Sequence, residues 1–261
     1  MKYKEFNERV LESLVNYKEK VMHIKGKGVW SKNNKSYPHI LPDSSSNLLP
    51  QAAKFKQLPS IKLHTGAAHL NSSQMMCINF FSPLFKDDKR LIELICKQLN
   101  LPITPDMKIT NKQFEYTPNG PKHTNFDFYV ELSTGEKFYF EIKYTERKFG
   151  GVSIDSKYPE RYEKEWECFY KDQTDKSKYF KDILQKDFYK NYQINRNIAY
   201  ITAENAEREF VCFVYPYDNG NLHKEAAAVQ TGYSNVEMIN WDDFCETALN
   251  ICQGTEYYEH Y

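Results

Sequence analysis

Hydrophobic and polar positions change rhythm several times along the chain. In "YKEFNERVLESLVNYKEKVMH" Phe6, Val10, Leu14 and Val21 recur near helical spacing, which predicts an amphipathic helix. From Gly26 to about Pro59 the pattern dissolves into Lys, Asn, Ser and Pro, including "PDSSSNLLP", and predicts a loop-rich arm rather than a strand or helix array. The apolar run "HLNSSQMMCINFFSPLF" opens on Asn71, Ser72 and Ser73, all good N-cap residues, and predicts a helix broken at Pro83. A second helix follows over 86–99 in "DDKRLIELICKQLNL", with aspartates in its first turn, and Pro102 and Pro105 end it. Strand periodicity then dominates from Gln113 to Thr145. The charged stretch 155–198 is mostly helical by pattern, "EFVCFVYPY" suits a buried strand over 209–215, and "NWDDFCETALNIC" forms a last helix capped by Asn240 or Asp242. Helix, three strands, helix, strand is the order of an α/β or α+β core, a mixed central sheet flanked by helices. Neither an internal repeat nor a clean linker breaks it. Residues 1–60 are expected to be a helical and loop extension of a domain spanning 61–261, one continuous globular unit.

Two facing strands carry the candidate chemistry. In "NFDFYVEL" Phe126, Phe128, Val130 and Leu132 point one way, while Asp127, Tyr129 and Glu131 point the other. In "KFYFEIKY" Phe138, Phe140 and Ile142 form the apolar face, opposite Lys137, Tyr139, Glu141 and Lys143. The intervening "STG" fits a three-residue hairpin loop with Gly135 in the left-handed position. If Leu132 pairs with Glu136, Asp127 lies directly across from Glu141, with Lys143 one step along on the same face. Two carboxylates so placed repel unless a cation lies between them. The bland alternative is a solvated hairpin face neutralised by Lys137 and Lys143. The functional alternative is an oxygen-lined site for Mg²⁺, with a lysine beside it to orient or activate an attacking water.

An acid on one strand followed by acid-x-Lys on the next resembles the PD-(D/E)XK nuclease superfamily, although Phe126 stands where the proline of that name would be. The resemblance implies a restriction-endonuclease-like αβββαβ core. "HLNSSQMMCINFFSPL", the "FEY" at 114–116, "FDFYVEL", "EIKYTE" and "YQINRN" at 192–197 are similar to one bacterial family of restriction endonucleases within it, over roughly residues 60–215. By that likeness Asp127 and Glu141 would hold Mg²⁺, with Mn²⁺ as a substitute, helped by the backbone carbonyl of Ile142. Lys143 would serve the nucleophilic water. Glu115 is favoured over Glu93 as a further carboxylate. Gln193 and Arg196 are candidates for contact with the scissile phosphate or DNA backbone, weighed against an ordinary polar helix face. Gln74 is a third candidate, but capping of its own helix ranks ahead. His64, His69 and His123 lack metal-ligand spacing, and Ser72 and Ser73 have no paired base in view.

Charge adds a partner. Lys and Arg balance Asp and Glu at 35 each over the 261 residues, but residues 1–62 carry twelve basic against five acidic side chains and residues 204–261 two against eleven. A basic N-terminal segment, with contacts expected over 24–62, suits nucleic acid phosphates. The implied partner is DNA, cut by water attack at phosphorus in restriction or genome defence. A repair or recombination nuclease and a non-catalytic nucleic-acid-binding module on the same fold remain as alternatives. Double-strand cutting would suit a homodimer, though no residue marks a dimer face. The charged N-terminus has no apolar core of a secretory signal, and no apolar run approaches the roughly 18–20 residues that span a bilayer. Six scattered cysteines without a C-x-x-C pair fit free thiols in a reducing cytoplasm.

Overall fold

The computed structural model describes residues 1–118, 124–152, 159–177, 179–180, 183–200, 207–229 and 235–254. Its helices are α1 (Tyr3–Lys20), α2 (Pro50–Ala53), α3 (Ser73–Leu84), α4 (Asp88–Gln98), α5 (Pro159–Glu165), α6 (Lys171–Lys176), α7 (Gln185–Lys190), α8 (Tyr192–Ile198), α9 (Gly220–Val229) and α10 (Trp241–Ile251). Its strands are β1 (Gly28–Trp30), β2 (Lys35–Tyr37), β3 (Ile109–Tyr116), β4 (Phe126–Leu132), β5 (Lys137–Ile142), β6 (Glu209–Tyr215) and β7 (Val236–Asn240).

The five strands β3-β4-β5-β6-β7 form the central sheet in that order. The first three are antiparallel, and β5, β6 and β7 run parallel. A parallel neighbour needs a crossover, which the helical segment between β5 and β6 supplies. Both faces of the sheet are covered. On one, Phe128, Val130, Phe140 and Ile142 pack with Phe80 and Phe81 of α3, Leu91 and Ile95 of α4 and Phe244 of α10. Phe81 stacks on Phe128 with ring centroids 4.1 Å apart. On the other, Tyr129, Tyr139, Val211 and Phe213 meet Ile194 and Ile198 of α8, Leu222 of α9 and an aromatic group around Trp166, Tyr170 and Phe188. Every residue of β6 is buried, as the apolar run from Phe210 to Tyr215 requires in a sheet covered on both sides, and Glu209 at its start is paired with Lys137 at 3.5 Å.

The hairpin register is the expected one. Tyr129 pairs with Tyr139 and Glu131 with Lys137. Gly135 has φ +97° and its N–H donates to the Leu132 carbonyl at 3.0 Å. Strict alternation fails at one point. Phe126 packs with Tyr139 in the second layer, not with Phe128 in the first. The partner strand changes face at the same place, with Phe114 in the first layer and Tyr116 against the second.

Other expectations need adjustment. The loop-rich arm contains a small hairpin, β1–β2, in which Trp30 pairs with Lys35. Its strands have no apolar alternation to announce them, and a turn with Asn34 at φ 54° closes it. Helix α3 runs through Pro83 to Leu84, because a proline near a C-terminus removes only one late bond. Asn240 stands at the N-cap of α10 but its side chain makes no cap bond, accepting instead from the Tyr217 N–H. α9 and the edge strand β7 carry no period that distinguished them from loop. The extension is tied down: Phe6 of α1 is buried, the Tyr3 hydroxyl donates to the Thr145 carbonyl at 3.0 Å, and Arg9 meets Asp218 at 2.6 Å.

Candidate active site

Strand register builds the site. Phe114 pairs with Phe128 and Tyr116 with Phe126, so Glu115 of β3 lies opposite Asp127 of β4. Phe128 pairs with Phe140 at the end of the β4–β5 ladder, and Glu141 is the next residue of β5 beyond that pair, toward Asp127. Three carboxylates from three adjacent strands thus share one row, with Lys143 just past the end of β5.

Glu141 is not part of a solvated face: it is 3% exposed. Its Oε1 accepts from Lys143 Nζ at 2.8 Å and from Gln193 Nε2 at 2.6 Å, and its Oε2 accepts from Asn197 Nδ2 at 3.0 Å. Gln193 and Asn197 are one helical turn apart on α8, hence on one face. Asn197 is fully buried, and its Oδ1 accepts from the Thr124 hydroxyl at 3.1 Å. Gly150 makes room for Gln193: at φ +124° it lets the Gln193 N–H reach its carbonyl at 2.9 Å, and a Cβ there would stand 3.0 Å from Gln193 Oε1. Three donors, one of them a cation, are therefore arranged around Glu141 before any ligand is considered.

Asp127 Oδ2 accepts from the backbone N–H of Ile142 at 2.6 Å. Burial and the neighbouring Glu141 push its carboxyl well above the usual aspartate range, against the opposing pull of Lys143 and the Ile142 amide. Burial works against the charge on Lys143, but Glu141, Glu146 and Asp127 outweigh it and hold the ammonium above the ordinary lysine range. Lys143 is therefore a cation at neutral pH. Glu146 is itself fixed by the Ser73 hydroxyl at 2.7 Å and the Tyr144 N–H at 2.6 Å.

Glu115 has φ +52°, rare for a residue with a side chain and costing about 1–2 kcal/mol. Its Oε1 accepts from Gln74 Nε2 at 2.7 Å, and its Oε2 lies 3.9 Å from His64 Nε2. Gln74 is buried; its amide also donates to the Lys62 carbonyl and accepts from the His64 N–H. Capping of α3 falls to Ser72, which accepts from the Met75 N–H, so the preference for Gln74 as a local cap is overturned. Glu93 is away from the row, paired with Lys97 at 2.7 Å on α4. Arg196 lies with its guanidinium carbon 5.2 Å from the Tyr192 ring centroid. His123 lies outside the described residues. Asn197 and Glu146 were not anticipated, although the spacing of "QINRN" puts Asn197 on the face of Gln193.

Among the described residues, no three His, Cys, Asp or Glu side chains converge into a ready metal cage, and no helix is long and apolar enough to cross a membrane. All six cysteines are free thiols. The donor chemistry nonetheless suits a hard cation. The row offers only oxygen ligands, and the raised Asp127 marks a negative charge short of compensation, which a divalent cation would relieve.

A five-stranded mixed sheet with helices on both faces is compatible with a restriction-endonuclease-like fold. The chain belongs to the family described as restriction endonuclease associating with ARP, whose model matches residues 11–261. No curated protein and no solved structure matches it.

Proposed function

We propose that the protein is a Mg²⁺-dependent endonuclease that hydrolyses DNA phosphodiester bonds in restriction or genome defence. The observation that carries this reading is the buried row Asp127–Glu141–Lys143, fixed from behind by α8, in a chain of a restriction endonuclease family. Asp127 and Glu141 would hold the cation, with the Ile142 carbonyl and Glu115 beside them. Bound there, Mg²⁺ supplies positive charge against the phosphate oxygens and acidifies water. Gln193 and Asn197 keep Glu141 in one orientation, so no reorganisation is needed when substrate arrives. Lys143, a cation held beside both acids, orients the attacking water and offsets charge growing on the phosphate. The water oxygen bonds to phosphorus and gives up a proton to solvent, one ester P–O bond breaks, and the displaced ester oxygen takes a proton from solvent. The same reading extends to a cytoplasmic site of action; association with an ARP partner is what the family description supports.

Supercoiled and linear plasmid DNA incubated with Mg²⁺ or Mn²⁺ tests the activity, with wild type and Asp127→Ala side by side. Cutting by wild type, abolished by EDTA and by the substitution, is expected. Equal cutting by Asp127→Ala, or binding of DNA without cutting under any divalent metal, would overturn it and favour a binding module.

A further inference from the structure

A cleft of about 530 Å³ opens between the β1–β2 hairpin and the chain that leads into α3. Trp30 and Lys32 form one wall; His64, His69, Asn71 and Gln74 belong to the other. Its floor is continuous with the acid row, because Gln74 donates to Glu115 and His64 stands 3.9 Å from the same carboxylate. The edge of His69 meets Trp30 with ring centroids 4.1 Å apart, and the exposed Lys32 ammonium lies 5.4 Å from the Trp30 centroid. His69 Nε2 and Asn71 Oδ1 are buried and have no protein partner. Buried polar atoms ordinarily find one. The segment from Lys20 to Pro42 carries five lysines and no acid, so the hairpin wall is positive while the row behind it is negative.

We propose that this cleft binds one unpaired nucleotide of the DNA strand next to the scissile phosphate, its base against Trp30. The proposal rests on reading the acid row as a DNA-cleaving site. Volume argues for a single nucleotide: the cleft falls in the roughly 300–1,000 Å³ range of small-ligand pockets and cannot admit a duplex. A base reaches such a pocket only out of its stack, as in enzymes that extrude one nucleotide. Trp30 offers a π face to a base once the Lys32 ammonium leaves its ring for the backbone phosphates, where the other hairpin lysines join it. His69 Nε2 and Asn71 Oδ1 are buried atoms of residues that line the cleft, and a base edge that reached them would supply the partners they lack. Sequence or modification preference would then be set here, a few residues from the chemistry.

Binding without cleavage tests it. In EDTA, the full chain is titrated with three labelled DNAs: a fully paired duplex, the same duplex with one unpaired nucleotide, and the single strand. Wild type is expected to bind the unpaired-nucleotide duplex about tenfold more tightly than the paired one. Trp30→Ala should erase that preference while leaving paired-duplex affinity within about twofold, and Trp30→Phe should restore it; far-UV circular dichroism and Tm check that both variants fold. Equal affinity for the two duplexes, loss of both by Trp30→Ala, or no binding to any of the three would overturn the proposal. Failure here leaves metal-dependent cleavage untouched, and binding with the expected preference but without cutting would sink only the nuclease reading.

Discussion

Glu115 and Asp127 face each other across neighbouring strands at the point where both strands reverse their side-chain alternation. A strand that kept its pleat there would leave one of the two acids on the wrong layer. The reversal is paid for by the left-handed backbone of Glu115, at φ +52°. Strain of this kind persists where the surroundings over-determine it, and here Gln74, anchored to the backbone at Lys62 and His64, holds the side chain.

That backbone predicts an inversion of ordinary strand preferences. Glu115→Val, favourable by β-propensity, should lower stability by about 2 kcal/mol because a β-branched residue tolerates positive φ poorly. Glu115→Gly should cost less than about 0.5 kcal/mol or stabilise. Urea unfolding of the two variants decides it, and a more stable Glu115→Val would refute the strain.

Asp127 predicts a pH-dependent gain on substitution. A carboxyl raised above its unfolded value contributes fully below the ordinary aspartate range and loses that contribution as pH rises through the raised value. In metal-free protein, Asp127→Asn should therefore raise Tm at pH 8, by about 2–4 °C per kcal/mol relieved. The gain should shrink toward pH 4.5. Thermal melts across that range measure it, and Mg²⁺ should stabilise wild type more than the variant.

Lys143 is the cation in contact with Glu141 among the described residues, at 2.8 Å. Lys143→Met should lower the cleavage rate at least about 100-fold while DNA affinity in EDTA changes little. Lys143→Arg should not rescue, because a planar guanidinium cannot take the place of a compact ammonium. Single-turnover cleavage read beside equilibrium binding separates the two effects.

Asn197 acts through Glu141. Asn197→Ala leaves a buried carboxylate oxygen without its donor and should cost about 1–3 kcal/mol of stability. Cleavage should fall with the Mg²⁺ concentration for half-maximal rate raised, a readout that simple loss of stability would not move.

Lys18 predicts how the hairpin is held. It is 1% exposed, and its ammonium donates to the carbonyls of Gly26, Pro38 and Ile40 at 2.6, 2.7 and 3.1 Å. Lys18→Met should speed limited trypsin cleavage at Lys25–Lys35 several-fold before global unfolding, followed by mass spectrometry. Unchanged protection there would show that the hairpin is held by something else.

Much of the core was legible because local rules agreed with one another. The hairpin register followed from "STG" and two clean alternations, and the strand at 209–215 was apolar from Phe210 onward as a doubly covered strand must be. What escaped was non-local. Glu115 turns toward Gln74 through a backbone torsion that no propensity encodes, and Gln74 was misread as a cap because its partners lie 10 and 41 residues away. Phe126 crossed to the other layer, against Tyr139, at the same level of the sheet. Asn197 was within reach of helical spacing alone. Lys18, an apparent surface lysine on a charged helix, is buried because a distant loop closes over it.

The Lys18 anchor touches only main-chain oxygens. It grips the chain on either side of the hairpin without reading a side chain, so this part of the attachment is indifferent to which residues the loop carries. Such a handle works as a chuck that holds by the backbone alone: substitutions on the hairpin that spare Trp30 should leave this grip, and the acid row behind it, in place.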